Sequence, residues 1–321
     1  MLPKAAMTMS LVREKEDNTL ASQSLSDYLI LAVKGFCMGA ANVVPGVSGG
    51  TMALILGIYE ELINAIRSLN FNFLRLMSFL RIREAFSYAA WPFLLPVGVG
   101  VLLATLSLAK ALSWLLDNHP VIVWSFFFGL VLSSVYTVSK VLKQWRIPTF
   151  AAIGVGAVAA YFLFDVVPVA TPNAWWFIFL SGFLAICAMI LPGVSGAYIL
   201  VLLGKYHYIL EAINNRDFGI LLILIAGALV GLLSFVRVIG WLLKRYHDLT
   251  MAILIGLMLG SLRKIWPWKE TLTTFFASHG KDVPALPPSF NSEVGLALLL
   301  MFFGFLVVFS MDFWARKKVS P

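Results

Sequence analysis

The residues able to do chemistry gather around a pentapeptide that occurs twice. Pro-Gly-Val-Ser-Gly stands at residues 45–49 and again at 192–196, each time inside an apolar stretch. Proline removes a backbone N–H and disturbs the turn before it. Glycine opens backbone angles closed to other residues. Each pentapeptide should therefore end one half-helix and start another, near Ser48 and near Ser195. A serine at a helix start can cap it, and the free N–H groups and positive dipole end there favour an anion. The candidate cradle comprises Gly46, Ser48, Gly49 and Gly50 in the first copy and Gly193, Ser195 and Gly196 in the second. Asn42 and Thr51 flank the first break, and Tyr198 flanks the second. Close helix packing by small residues is the bland alternative. The symmetric recurrence with proline favours the anion.

Two helix starts supply about one elementary positive charge. A phosphate monoester carries about −1.5 to −2 at neutral pH, so a further cation is needed. Lys110 and Arg237 are the candidates: both fall within apolar helices, at equivalent places in a second repeated block. Ser107 and Ser234 precede them by three residues, on the same helix face. A mid-span cation costs about 2.5–3.5 kcal/mol on insertion scales, so finding one at both positions argues for a role. Snorkelling to lipid phosphates is the alternative. Lys34 and Glu60 are weaker candidates for coupling or gating. Cys37 and Cys187 have no spacing suited to a metal or a disulfide framework.

These residues need elements to hold them, and the repeat defines those elements. PGVSGGTMALILGIYEELINAI at 45–66 matches PGVSGAYILVLLGKYHYILEAI at 192–213, an offset of 147. TLSLAKALSWLL at 105–116 matches LLSFVRVIGWLL at 232–243 at an offset of 127, which persists through GLVLSS at 129–134 and GLMLGS at 256–261. The first copy thus carries about twenty extra residues, around 69–89. Arg75, Arg81 and Arg83 lie there among Phe, Leu and Met, the pattern of a basic interfacial helix.

Composition sets the solvent. Of 321 residues, 60% are hydrophobic and 12% charged, with a mean hydropathy of +0.89, against about 25% charged in a soluble domain. Long apolar runs such as 218–243 and 294–308 read as membrane spans. The net charge of +8 comes largely from short loops between spans, which argues against nucleic acid. Each unit should hold a broken segment followed by three spans: about 27–66, 91–116, 121–138 and 147–167, then about 174–213, 218–243, 249–262 and 294–313.

If each broken segment is a hairpin that returns to its own side, three crossings remain and the second unit is inverted. Basic loops at 67–83, 140–146, 244–245 and 316–318 then share the inner side with the N-terminal tail. The exception is the last outer loop, with Arg263, Lys264, Lys269 and Lys281. The expected fold is an all-α polytopic membrane protein of two inverted-topology repeats. Residues 1–26 form a cytoplasmic tail, 27–168 repeat 1, 169–315 repeat 2, and 316–321 a second cytoplasmic tail.

GAANVVPGVSGGTMALILGIYEELI and LPGVSGAYILVLLGKYHYIL resemble the bacterial and archaeal polyprenyl-phosphate transporter family, from about Asp27 to the C-terminus. The resemblance implies a flippase that returns undecaprenyl phosphate across the bacterial cytoplasmic membrane after its sugar cargo reaches the cell wall. It carries the family's pattern onto Asn42, Pro45, Gly46, Ser48, Gly49, Gly50, Pro192, Gly193, Ser195, Gly196 and Arg237; Lys110 departs from it. The implied partners are undecaprenyl phosphate and membrane lipids, with room for a homodimer and with no cofactor, metal or nucleic acid. Two rivals remain. Undecaprenyl-pyrophosphate phosphatases also use paired re-entrant Ser/Gly motifs, but theirs carry a histidine after Ser-Gly, where this chain has Gly50 and Ala197. A small-anion transporter would need an enclosed aqueous path in place of a lateral opening.

Overall fold

The computed structural model describes residues 24–43, 48–69, 73, 89–166, 168, 169, 171–272, 281–287, 289 and 291–317. Most of the N-terminal tail, Pro45 and Gly46, nearly all of the expected basic interfacial helix, and residues 318–321 lie outside the described residues.

Among the described residues there are twelve helices. The first six are α1 (Leu25–Val43), α2 (Gly49–Ile55), α3 (Tyr59–Ser68), α4 (Trp91–Asn118), α5 (Pro120–Ser139) and α6 (Ile147–Leu163). The next six are α7 (Trp175–Ile190), α8 (Gly196–Leu202), α9 (Tyr206–Asn214), α10 (Phe218–Arg245), α11 (His247–Ser261) and α12 (Ser292–Lys317). An antiparallel pair, β1 (Lys269–Leu272) and β2 (Lys281–Pro284), precedes α12. The chain is mostly helical, as expected of an all-α membrane protein, and this short hairpin occupies the polar stretch between the last two helices.

Local chemistry sets the boundaries. Asp27 accepts from the Ser24 N–H at 2.8 Å at the start of α1, a cap of the kind that satisfies orphan donors. Proline sits in the first turn of α4, α5 and α6, where its missing N–H costs nothing. The broken segments contain a second stop that the sequence reading missed. Gly57 and Gly204 adopt φ of 68° and 62°. Around them Ile58 N–H donates to Ala53 and Lys205 N–H to Leu200, a left-handed helix end that glycine accommodates. Each broken segment is therefore three helices, two of them short. A one-residue joint repeats as well: His119 (φ −137°, ψ 53°) links α4 to α5, and Tyr246 (φ −134°, ψ 51°) links α10 to α11.

Packing follows glycine. Gly35 and Gly39 of α1 lie against the backbone at Val97 and Val101 of α4, and Gly100 lies against Ala32 and Phe36. In the other half Gly182 meets Leu224, Gly227 meets Phe179 and Gly231 meets Phe183. Residue numbers rise together across both seams, so α1 runs with α4 and α7 with α10. The remaining seams cross between halves. On one, Gly156 of α6 meets Ile253 and Gly260 of α11 meets Ala157. On the other, Phe126 of α5 packs on Phe303 of α12 and Tyr136 on Phe309. These pairs also run the same way. Helix α11 is largely buried, through Met251, Ala252, Leu254, Ile255 and Met258, and with α5 it forms the centre.

Four helices are long and apolar enough to cross a membrane: Trp91–Asn118, Pro120–Ser139, Phe218–Arg245 and Ser292–Met311. Their outer faces display Leu102, Leu106, Leu222, Leu229, Leu299 and Phe302. Apolar area on this scale does not stay in water on a soluble monomer. Helices α6 and α11, with 17 and 15 residues, are shorter apolar elements; at 1.5 Å per residue they reach about 25 Å and 22 Å.

Candidate functional site

The two breaks meet. Ser48 is the N-cap of α2, and its Oγ accepts from Gly50 N–H at 3.1 Å. The same hydroxyl lies 3.3 Å from the Met189 carbonyl and 3.2 Å from that of Leu191, at the end of α7. Gly193 N–H donates to Thr51 Oγ at 2.8 Å. The Tyr59 hydroxyl donates to the Ile190 carbonyl at 3.4 Å. Ser48 and Thr51 are 1% and 0% exposed. At that depth an unmade hydrogen bond costs about 1–3 kcal/mol, so these bonds hold one break on the other. Gly193, at φ 84° and packed against Leu257 and Ser261 of α11, has no room for a side chain.

The two helix starts are not equally occupied. In α2, Gly49 N–H donates to Asn42 Oδ1 at 2.7 Å, and Gly50 N–H is taken by Ser48. In α8, Ser195 is the N-cap but makes no side-chain cap bond. The Ile199 N–H reaches the Ser195 carbonyl. Among the described residues the N–H groups of Gly196, Ala197 and Tyr198 have no hydrogen-bond partner, as expected for the first turn of a helix left uncapped. Gly196 and Ala197 border a cavity of about 200 Å³ that is also lined by Asn42, Ser48, Met189, Val194 and Ser195. Asn42 uses its Oδ1 on Gly49, which leaves Nδ2 as a donor at that cavity. Hydroxyl, amide and backbone donors around a small space can hold an oxyanion.

Asn42 and Met189 also line a second cavity of about 610 Å³. Its other walls are almost wholly apolar: Leu62, Ile63 and Ile66 of α3, Val97, Val101 and Leu102 of α4, and Ile186, Ile190 and Leu232 of α7 and α10. Leu102 is 58% exposed, so this cavity reaches the lipid-facing surface. A third cavity, of about 450 Å³, is lined by Lys34, Glu60, Tyr59, Gly57, Thr137 and Met251, among others. Glu60 there pairs with His247 at 2.9 Å, and His247 with Asp248 at 3.2 Å.

The structure thus brings together Asn42, Ser48, Gly49, Gly50, Thr51, Gly193, Ser195 and Gly196, with Tyr198 one turn on. Gly46 lies outside the described residues. Lys34 and Glu60 sit together in the third cavity. Lys110 and Arg237 were expected to be buried; both are exposed and line none of these cavities. Ser107 donates to Leu103 and Ser234 to Val230 within their own helices. Two participants escaped the sequence reading. Tyr59 was visible only as a repeat match, and His247 contacts Glu60 across 187 residues of chain.

Comparison with known proteins gives a consistent picture. The family model described as "VCA0040-like: Undecaprenyl phosphate translocase-like" matches residues 38–283. A polyprenyl-phosphate transporter of Vibrio cholerae serotype O1 (strain ATCC 39315 / El Tor Inaba N16961) is 41% identical over 302 residues, covering 91% of this chain and 98% of the relative. A polyprenyl-phosphate transporter of Staphylococcus aureus (strain NCTC 8325 / PS 47) is 31% identical over 262 residues, covering 74% and 86%. No solved structure matches the chain. With a family model spanning most of its length and these two relatives, this multi-pass membrane chain belongs to the undecaprenyl phosphate translocase-like family.

Proposed function

We propose that the chain is a flippase that moves undecaprenyl phosphate from the outer to the inner leaflet of the bacterial cytoplasmic membrane, recycling the carrier lipid of peptidoglycan synthesis. The phosphate is held between the two breaks, at the uncapped start of α8, with Ser195 Oγ and Asn42 Nδ2 as side-chain donors. The single observation that carries this reading is the shared wall of two cavities: a donor-lined space of about 200 Å³ and an apolar space of about 610 Å³ meet at Asn42 and Met189. That pairing suits a charged head on an apolar tail. It favours a lipid over a small anion, which has no use for the larger space. It also favours binding over hydrolysis, since the residues around the breaks supply donors.

The two halves are read as inverted repeats, 27–168 and 169–315, working by alternating access, with both chain ends cytoplasmic. Helix α11 runs with α6, whereas its repeat equivalent α5 precedes α6 through a short loop at 140–146. If that loop reverses the chain, α5 and α11 point oppositely, as inversion requires. Exposed Lys110 and Arg237 then serve by drawing lipid phosphates along α4 and α10, outside the cradle.

Binding of undecaprenyl phosphate to the purified chain tests the cradle. Asn42→Ala and Ser195→Ala should each weaken binding about tenfold, the scale of one hydrogen bond to a charged group. Lys110→Gln and Arg237→Ala should bind nearly as the parent does. Unchanged binding in both cradle variants would overturn the assignment.

A further inference from the structure

The last outer loop broke the charge pattern, and the structure shows where its cations go. The 127-residue offset places Arg263 at the position of Tyr136 and Lys264 at that of Thr137. Thr137 lines the open cavity of about 450 Å³ beside Lys34. Its counterpart Lys264 lines a much smaller cavity, of about 20 Å³, with Phe164, Arg263, Lys269 and Pro284. One chamber has room for a head group, and the other for about one water.

An aromatic pair stands at the small chamber, with Phe164 on its wall and Tyr198 against the Phe164 ring. Tyr198 and Phe164 pack with centroids 5.0 Å apart, and the Tyr198 hydroxyl donates to the Leu163 carbonyl at 3.4 Å. Tyr198 lies in the first turn of α8, three residues beyond Ser195. The Lys264 ammonium stands 5.5 Å from the Tyr198 ring and has no hydrogen bond or ion pair among the described residues. Arg263 binds Asp165 at 3.0 Å and lies 4.3 Å over Tyr161. Lys269, also on the chamber wall, lies 4.0 Å over Trp124.

We infer that Lys264, with Arg263 beside it, is a docking site for a phosphomonoester head group at the face opposite Lys34, and that the Tyr198–Phe164 pair is the gate between this site and the cradle. Arg263 and Lys264 face Asp165 as their one acidic neighbour among the described residues, and a dianion can replace that carboxylate on Arg263. The gate residue belongs to the helix whose amides form the cradle, so opening the chamber moves cradle and gate together. This inference rests on the proposed lipid-phosphate reading. The shared chemistry is a phosphomonoester, whether borne by a prenyl lipid or free in solution.

The test uses the full chain in proteoliposomes sorted for sidedness, with undecaprenyl phosphate supplied from either face. Lys264→Gln should raise the half-saturating concentration about tenfold from the outer face and leave that from the inner face unchanged, with Lys264→Arg restoring it. Inorganic phosphate should compete at the outer face of the parent more strongly than in Lys264→Gln, and phosphatidylglycerol, a diester, should not compete. Unchanged outer loading in Lys264→Gln overturns the docking site while leaving the transport reading intact. Equal competition by phosphatidylglycerol overturns it too, showing a generic basic surface. A parent chain that moves no undecaprenyl phosphate from either face removes the transport reading and the docking site with it.

Discussion

At the scale of residues, the breaks are stitched by groups whose types were legible in the sequence and whose partners were not. Ser48 was readable as a cap from its place after Pro-Gly. That its hydroxyl also reaches Met189 and Leu191, 141 and 143 residues away, was not. Thr51 is a sharper case: among the described residues its hydroxyl accepts from Gly193 N–H, 142 residues away. Thr51→Val should leave that buried donor unpaired and lower stability by about 1–3 kcal/mol, with Thr51→Ser close to the parent. Thermal unfolding in detergent would read this, and equal midpoints for Val and Ser would count against the bond. Lys110 shows why a repeat equivalence does not by itself place a side chain. The buried face of α4 runs through Phe93, Val97, Gly100 and Ala104. Lys110 lies six residues past Ala104, about 240° further round the helix. The sequence contained that phase, but which face would be covered depended on α1, and periodicity alone does not name a partner.

At the scale of elements, the long helices and the two pentapeptide breaks were legible because apolar length and Pro-Gly carry direct physical meaning. The second stops were not, since Leu-Gly within an apolar run also reads as close packing; only the left-handed angles at Gly57 and Gly204 distinguish a helix end. The seams explain many of the remaining glycines. A methyl group at Gly129 of α5 would enter the carbonyl of Met301 on α12, whereas one at Gly295 of α12 would meet open space. Gly129→Val should therefore cost about 1–3 kcal/mol or more through overpacking, and Gly295→Val far less. Comparing the folded, monodisperse yield of the two variants checks the seam, and matched yields would argue that α5 and α12 are not in close contact.

At the scale of the whole molecule, inversion makes a sided prediction. Asp117 and Lys244 are related by the 127-residue offset and close equivalent helices, α4 and α10. With Cys37 and Cys187 replaced by serine, Asp117→Cys should react with an impermeant thiol reagent from outside the cell and Lys244→Cys only from inside. Labelling from the same side would make the repeats parallel. The crossed seams, α5 with α12 and α6 with α11, have a further consequence for how the chain is made. Helix α5 is synthesised roughly 170 residues before the helix that covers Gly129, and contacts so distant in sequence form late. The first half thus waits in the bilayer with a bare glycine seam until the last helix arrives. A nascent chain stalled before α12 would lack only its last helix, yet the defect would lie in an early one, with Gly129 of α5 left uncovered in an unfinished N-terminal half.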